Sequence, residues 1–440
     1  MPIRNTVIIG IALVVSLLCY HKATHSRYAE QFVFAMQVIE NNYIEPVEPH
    51  KLFENAMVGM VGNLDQYSTY IGPEQYQLFS QSIDQEFVGI GIIVQGPPQT
   101  KQLQVVTPVY GSPAYRTGLR AGDVILEIDG TPTDQWTVEQ AVEKIKGPRG
   151  TTVTLTIKHE GAKQSETVVV TRDLVQTRSV LGDTRADHGR WNYYLQQHPE
   201  IGYIRITTFG ERTADEMRDV LPFHSHPVKA LILDLRGDPG GLLPAAIAVC
   251  DMFIDQGVIV SIRGRRKEDS QVYRASPENT LFDRHLPMVV LVDGYSASAS
   301  EIVAACLKDH KRAAIAGQRT WGKGTVQNLI MMENGRAAIK LTTASYWRPN
   351  GKNIHRRRGA TDKDVWGVRP TPGLEVKLTP EQYQKLLEQR RARDVLRESD
   401  DNAVSAPKDL PKIDDPQLQK AVDYLKSKMK ANVAKTPKAA

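Results

Sequence analysis

The feature that most limits the fold is an alternation of strand-like and helix-like segments that begins at Ile201. Short apolar runs rich in β-branched residues start at Ile201, Lys229 and Pro287, and each is followed by a segment with helical spacing of apolar residues. Such alternation is typical of a mostly parallel sheet whose strands are joined by crossover helices. The sequence therefore predicts a layered α/β core, which we place at residues 174–378.

The remaining regions differ from this core in pattern. A chain of 440 residues is too long for one ordinary domain. Residues 27–82 and 379–440 carry helical spacing, whereas residues 83–173 form short β-branched runs between glycines and prolines. We therefore predict a multi-domain α/β protein with an inserted β-rich domain and helical N- and C-terminal segments. The last residues, from Ala431, are predicted to be disordered.

The N-terminus, residues 1–26, has the pattern of an export signal. Arg4 precedes an apolar run from Val7 to Cys19, which is short for a membrane-spanning helix. No small-x-small cleavage pattern follows, so we expect a signal that can stay as an anchor in the inner membrane. The alternative is a buried helix. An export signal would place the body of the protein in the periplasm or another extracytoplasmic space.

Charge and cysteine usage exclude several classes of function. The net charge of +5 is mild and spread out, and gives no argument for nucleic-acid binding. The three cysteines form neither a disulfide framework nor a zinc-binding spacing, so we predict no metal and no cofactor. One basic cluster, at His355 to Gly359, fits either a solvated loop or a patch that binds phosphate or membrane.

The β-rich region opens with a possible carboxylate site. In "VGIGI", Val88 to Ile92, Gly89 and Gly91 flank Ile90 just before a strand. Glycines at such positions let successive N–H groups point into one concavity, and the following strand can accept an extended peptide at its edge. The alternative interpretation of this short pattern is a tight turn.

The next segment resembles the PDZ domain. It reads "GSPAYRTGLRAGDVILEIDGTP", from Gly111 to Pro132. The resemblance implies a site for the C-terminal carboxylate of a peptide on the amides of Gly89, Ile90, Gly91 and Ile92. It also implies that the side chains of Ile90 and Ile92 line the pocket. Because many PDZ domains only tether their ligands, this domain alone does not separate an enzyme from an adaptor.

Three serines precede a predicted helix in "VDGYSASASEIVAACLKD", Val292 to Asp309. Ser298 and Glu301 have capping-box spacing, which fits a helix start. A serine nucleophile would also need a base, because its hydroxyl is barely ionised at neutral pH. The histidines are scattered without a carboxylate partner at a recognisable spacing, and the G-x-S-x-G elbow is absent.

A lysine is the alternative base. It works only as a neutral amine, which requires burial or neighbours that lower its pKa. Lys323 lies between Gly322 and Gly324 in an apolar stretch, and Gln327 would share its face if the stretch is a strand. The alternative is a β-turn with an exposed lysine.

The third requirement is an oxyanion hole of backbone N–H groups. The amide of Ala299, which follows Ser298 at the predicted helix start, is one candidate donor. The turn "DLRGDPGG", Asp234 to Gly241, offers Gly240 or Gly241 as the second, at the C-terminal end of a strand. A plain strand-to-helix turn is the alternative.

Together these segments resemble the C-terminal processing peptidases, also called tail-specific proteases. The resemblance covers most of the chain, from about Leu52 to about Leu425, and includes "LILDLRGDPGGLL", "SASASE" and "GKGTVQ". It implies a ClpP/crotonase-like core and a serine endopeptidase that uses a Ser298–Lys323 dyad with Gln327. It also implies an oxyanion hole at Ala299 and Gly240 or Gly241, protein substrates with free C-termini, and helical ends that form a homodimer or bind an adaptor.

The sequence departs from the family pattern at two places. Asp238 stands where the family usually has asparagine, and the segment from His355 to Gly373 is longer than the usual connection. We expect neither to abolish catalysis, and the insertion is expected to alter a rim or a partner surface. The alternative functions are a non-catalytic PDZ scaffold on a dead protease fold and an acyl-CoA enzyme of similar layering.

Overall fold

The computed structural model describes residues 3–97, 102–185, 189–220, 227–396 and 414–435. The α-helices within these ranges are α1 Ile3–Asn42, α2 Pro49–Gly62, α3 Pro73–Asp84, α4 Pro113–Arg116, α5 Val138–Ile145, α6 Thr213–Val220, α7 Leu243–Asp251, α8 Ala299–Asp309, α9 Pro380–Asp394 and α10 Pro416–Lys435.

The β-strands of the first half of the chain are β1 Thr69–Ile71, β2 Glu86–Gly89, β3 Ile92–Gln95, β4 Gln104–Pro108, β5 Val124–Ile128, β6 Thr131–Pro132, β7 Thr152–Lys158, β8 Glu166–Thr171, β9 Asp173–Gln176, β10 Val180–Leu181, β11 Thr184–Arg185, β12 Trp191–Asn192, β13 Tyr194–Leu195 and β14 His198–Ile206. The later strands are β15 Ala230–Asp234, β16 Val258–Gly264, β17 Gln271–Arg274, β18 Met288–Val292, β19 Ala314–Gly317, β20 Thr325–Met332 and β21 Ala337–Trp347.

The α/β core is built on a sheet with the strand order β10-β14-β15-β18-β19. Strands β14, β15, β18 and β19 pair in parallel, and helices α6, α7 and α8 occur in the connections between them. Every residue of β15 and β18 is buried, as expected for strands covered on both faces. The predicted parallel sheet with crossover helices is confirmed.

The two faces of this sheet pack against different helices. Leu233 and Val290 point to one side and join a cluster with residues of α7 and α8. Their neighbours Ile232 and Val289 belong to a second cluster with Ala421, Val422 and Leu425 of α10. Full burial of an aliphatic side chain contributes about 1.5–3 kcal/mol, so α10 completes the core. The core is therefore layered, as predicted.

The β-rich domain is a separate sheet with the order β3-β4-β5-β7-β8. Its helix α5 begins at a capping box formed by Thr137 and Gln140. The segment "EFVGIGIIVQ" forms two strands, β2 and β3, that join different sheets. The chain breaks between them because Gly91 has a φ of +79°, and a Cβ atom there would overlap Ser112.

Residues 3–77 and 327–342 make up a second unit, which we describe by itself. Strand β1 pairs antiparallel with β21, aligning Thr69 with Lys340. Met57 of α2, Tyr70 of β1 and Ala337 of β21 form its small core. Strands β20 and β21 pair with each other on either side of "ENGR", Glu333 to Arg336. Within the described part of the chain, no helix is both long enough and apolar enough to cross a membrane.

The C-terminal helices predicted from periodicity are confirmed as α9 and α10. Residues 397–413 between them lie outside the described ranges. The tail expected to be disordered from Ala431 is instead helical to Lys435, because α10 continues through it. Residues 436–440 lie outside the described part.

Candidate active site

The three serines before α8 have different hydrogen bonds. The hydroxyl of Ser296 donates to the carbonyl of Leu235 (2.8 Å), and that of Ser300 donates to the carbonyl of Asp238 (3.0 Å). Both of these hydroxyls are therefore used to join the serine segment to the turn that follows β15. Their structural bonds leave Ser298 as the serine to consider as a nucleophile.

Ser298 has an unusual backbone and is almost buried. Its φ of +56° and ψ of −113° lie where non-glycine residues are rarely found, at a cost of about 1–3 kcal/mol. The residue is 6% exposed and directly precedes α8. Its hydroxyl is hydrogen-bonded to Tyr346, whose pKa is raised to about 12, chiefly by burial. Backbone strain at such a position is typical of functional sites.

One buried carboxylate joins the serine and lysine segments. Oε2 of Glu301 accepts from the amides of Ser298 (3.0 Å) and Lys323 (2.8 Å). Oε1 accepts from the amide of Gly322 (2.7 Å) and from the hydroxyl of Thr320 (2.5 Å). Burial raises the pKa of Glu301, and these four bonds act in the opposite direction. The S-x-x-E spacing predicted the first bond and gave no sign of the others.

Lys323 lies in the loop before β20 and is half-buried. The interpretation of an exposed β-turn therefore does not fit. The argument that Lys323 and Gln327 share a strand face is also wrong, because the strand begins only at Thr325. Gln327 belongs to β20, where its Nε2 donates to Thr342 Oγ1 (3.1 Å).

The basic insertion packs against the loop that carries Lys323. A Cβ atom on Gly324 would overlap the backbone of His355, and one on Gly322 would lie 2.7 Å from Arg356 Cβ. The guanidinium groups of Arg319 and Arg356 lie over the ring of Trp366, at 3.3 and 4.6 Å from its centroid. The insertion is thus a packed rim beside the lysine loop.

The glycine turn lies against the nucleophile candidate. Gly240 has a φ of +98°, and a Cβ atom there would be 2.8 Å from Ser298 Cβ and 2.9 Å from the nitrogen of Ala299. Only glycine allows this approach. The Gly240 amide already donates to Asp238 Oδ1 (2.8 Å), which makes Gly241 the better candidate for a free donor.

A groove in the β-rich domain contains the predicted peptide-binding residues. A pocket of about 380 Å³ lies between β3 and α5, lined by Gly89, Ile90, Gly91, Ile92, Val94, Val142 and Ile145 among others. Ile90 is 1% exposed and packs in the domain core, so the wall of the groove comes mainly from its neighbours. The outer edge of β3 is unpaired within the described sheet.

Three protein families match successive parts of the chain: a helical N-terminal region, the β-rich domain and the α/β core. The family "Peptidase family S41" matches residues 200–370, and "PDZ domain" matches residues 78–158. "Activating protease CtpB N-terminal domain" matches residues 20–75. The serine and lysine segments therefore both lie within the peptidase match.

Similarity to curated proteins extends over most of the chain. It is 34% identical over 401 residues to a carboxy-terminal-processing protease of Bartonella bacilliformis, covering 89% of this chain and 86% of that protein. The chain belongs to the carboxy-terminal-processing protease family. This protease is also 32% identical to the carboxy-terminal processing protease CtpA of Bacillus subtilis, over 80% of this chain and 69% of that one.

A solved structure, the photosystem II D1 C-terminal processing protease, matches 84% of this chain and 97% of its own at 28% identity, with a TM-score of 0.43. As a member of the family, the carboxy-terminal-processing protease described here is a serine-type peptidase that acts on proteins. The scaffold and acyl-CoA alternatives are set aside. The predicted family and layered α/β fold with a PDZ domain are confirmed.

Sequence reasoning missed three residues of this protease's site. Thr320 supplies a hydrogen bond to Glu301, and Tyr346 bonds the hydroxyl of Ser298. Glu301 was identified as a cap but not as the partner of the lysine loop. The chain gives no local signal for these contacts, because each joins segments separated by at least one strand or helix.

Proposed function

We propose that the protease cleaves peptide bonds with Ser298 as nucleophile and Lys323 as its general base. Neutral Lys323 accepts the hydroxyl proton while Ser298 Oγ forms a bond to the peptide carbonyl carbon. The protonated amine then delivers this proton to the leaving amine, and the acyl-enzyme is released by a water molecule that Lys323 activates. The observation that carries the proposal is the shared bonding of both backbones to Glu301.

The oxyanion of each tetrahedral intermediate is proposed to bind the amides of Ala299 and Gly241. Ala299 is the first residue of α8, where the unpaired N–H groups and the helix dipole favour negative charge. Gly241 is preferred to Gly240 because the Gly240 amide already donates to Asp238. The role of Gln327 in orienting the lysine stays a prediction, which Gln327→Ala would test through a drop in kcat.

Replacement of each dyad residue tests the mechanism. Ser298→Ala and Lys323→Ala should each reduce cleavage of a quenched-fluorescence peptide to background, with folding checked by circular dichroism. Ser300→Ala is the matched control, since it removes a neighbouring hydroxyl that makes one hydrogen bond, worth about 1 kcal/mol. It should retain at least about a tenth of the activity. Full activity in either dyad variant would overturn the assignment.

We further propose that the PDZ domain captures the free C-terminus of a substrate by adding it as a strand to β3. The open edge of β3, the apolar groove beside α5, and the glycine turn next to it support this mode. Lys146 lines the same groove and supplies a positive charge near a bound carboxylate.

Amidation of the substrate tests this capture. A protein substrate with an amidated C-terminus should show a higher KM than the same protein with a free carboxylate, because the amide lacks the charge. Val142→Asp, which places a like charge in the groove, should remove this preference. The control is a peptide too short to reach the groove from the active site. Amidation of its C-terminus should leave its KM unchanged. Equal KM values for the free and amidated proteins would contradict the proposal.

Export through the N-terminal segment and association through the helical ends stay predictions. Apolar side chains on α1 that are exposed, such as Phe34 and Tyr28, are consistent with a partner surface there. Cell fractionation tests the location, and light scattering of the protein from residue 27 onward tests the dimer. A cytoplasmic protease or a strict monomer would remove these predictions.

A further inference from the structure

Asp238 connects the glycine turn to the serine segment. Its Oδ1 accepts the amide of Gly240 (2.8 Å). Its backbone carbonyl accepts the amide of Ala297 (3.0 Å) and the hydroxyl of Ser300 (3.0 Å), the residues on either side of the nucleophile segment. Gly240 in turn lies in contact distance of Ser298. Asp238 thus makes several of the contacts that hold the turn against the nucleophile segment, together with the bond from Ser296 to Leu235.

The second oxygen of Asp238 is in an unusual environment. The residue is 0% exposed, and Oδ2 is fully buried without a hydrogen-bond partner among the described residues. No ion pair to Asp238 occurs in the described part of the chain. The charged group that faces it is another carboxylate, Asp293, and the neighbouring residue on α8 is Ser300, which is neutral. An ionised carboxylate that lacks a cation is costly in such a place.

We propose that Asp238 is a positioning residue that works as a neutral carboxylic acid, holding the oxyanion turn against Ser298 without adding negative charge to the site. This inference rests on the proposed function of Ser298 and Gly241. When Asp238 ionises, its negative charge lies close to the place where the oxyanion forms. Turnover therefore falls as the pH rises through the titration of this group. Burial raises the pKa of Asp238 well above its usual value, and the nearby Asp293 acts in the same direction.

The test compares the pH profiles of wild type and Asp238→Asn. Asparagine keeps the acceptor for Gly240 and cannot ionise. The kcat of the wild type should fall on the alkaline side by roughly 10-fold or more while KM is unchanged, since like charges repel strongly in a poorly solvated site. Asp238→Asn should keep its neutral activity and lose this decline. Asp251→Asn, which changes a buried carboxylate elsewhere in the core, should keep the wild-type profile.

Thermal unfolding gives a readout that does not depend on catalysis. A carboxyl group with a raised pKa in the folded state stabilises the fold below its unfolded pKa, and this contribution is lost as the pH rises through the folded pKa. The Tm of Asp238→Asn minus the Tm of the wild type should therefore increase as the pH is raised from acid to alkaline. The inference would be overturned if the wild type and Asp238→Asn had parallel pH profiles of Tm, or parallel pH profiles of kcat. An active Ser298→Ala variant would overturn the proposed function alone, and the Tm comparison would still decide the protonation of Asp238.

Discussion

Asp234 and Asp238 lie on the same turn and are both buried, but their surroundings differ. Asp234 accepts from Arg236 Nη2 (2.6 Å) and from the hydroxyl of Tyr203 (2.6 Å). Arg236 also forms a two-pronged ion pair with Asp415, the residue that precedes α10. The side chain of Asp238 accepts from the amide of Gly240, and none of the described residues pairs it with a cation. Two carboxylates with the same sequence neighbourhood thus have opposite electrostatic environments.

The pKa values follow these partners. Burial alone raises the pKa of a carboxyl group, but the guanidinium of Arg236 reverses this for Asp234 and Asp415, whose pKa values are lowered. Asp238 has no such compensation, and its pKa is raised. The ion-pair cluster of Asp234, Arg236, Arg390 and Asp415 attaches the C-terminal helix, whereas Asp238 bonds to the glycine turn. The charge state of a buried carboxylate is therefore set by its partners and not by burial alone.

The largest effect on stability is expected from removing Arg236, the cation that Asp234 and Asp415 share. Arg236→Ala leaves Asp234 and Asp415 buried with only the more distant Arg390, at 4.0 and 3.8 Å, as a cation. This should lower the free energy of unfolding by about 3–5 kcal/mol. Denaturant unfolding measures this. The matched control is Arg266→Ala, whose ion pair with Asp269 is on the surface and should leave the stability almost unchanged, because water and salt screen exposed charges. Equal losses in the two variants would mean that the buried cluster is not specially stabilising.

An intermediate effect is expected at Glu301, which is buried like Asp238 but accepts four hydrogen bonds. Glu301→Gln replaces one acceptor oxygen by an NH₂ group that faces N–H donors, so the serine and lysine segments lose their common acceptor. We expect kcat/KM to fall about 100-fold, a loss of about 2.7 kcal/mol in transition-state stabilisation. Glu268→Gln, an exposed counterpart, should have no effect. Wild-type kinetics in Glu301→Gln would show that the shared carboxylate is dispensable.

The smallest effect concerns acid stability. Because the pKa of Asp415 is lowered in the folded state, its contribution is present above the unfolded pKa and is lost as the pH falls through the folded pKa. Asp415→Asn should be less stable than the wild type at neutral pH, and the difference should shrink by about 1 kcal/mol between about pH 5 and pH 3. Urea unfolding at both pH values measures it. A constant difference would contradict the ion-pair account.

Much of the fold could be predicted because local patterns of apolar residues specify its strands and helices. Short apolar runs predicted β15 and β18, and helical spacing of apolar residues predicted α9 and α10. The errors came from places where a neighbour in space decides. Gly91 breaks a strand because Ser112 lies against it, and Lys323 precedes β20 in a loop fixed by Glu301.

The candidate site likewise has features that local sequence patterns predict and features that depend on distant neighbours. The motifs around Ser298, Lys323 and Gly240 could be found in the sequence because turns and helix starts need particular residue types there. The sequence alone also determined the order of domains and the family. The family resemblance singled out Ser298, and the tertiary structure supplied the physical reason, since the hydroxyls of Ser296 and Ser300 bond to carbonyls of a distant turn. The tertiary structure also decided that Asp234 pairs with a cation and that Asp238, among the residues described, does not, because folding, and not chain order, selects the partners of a buried charge.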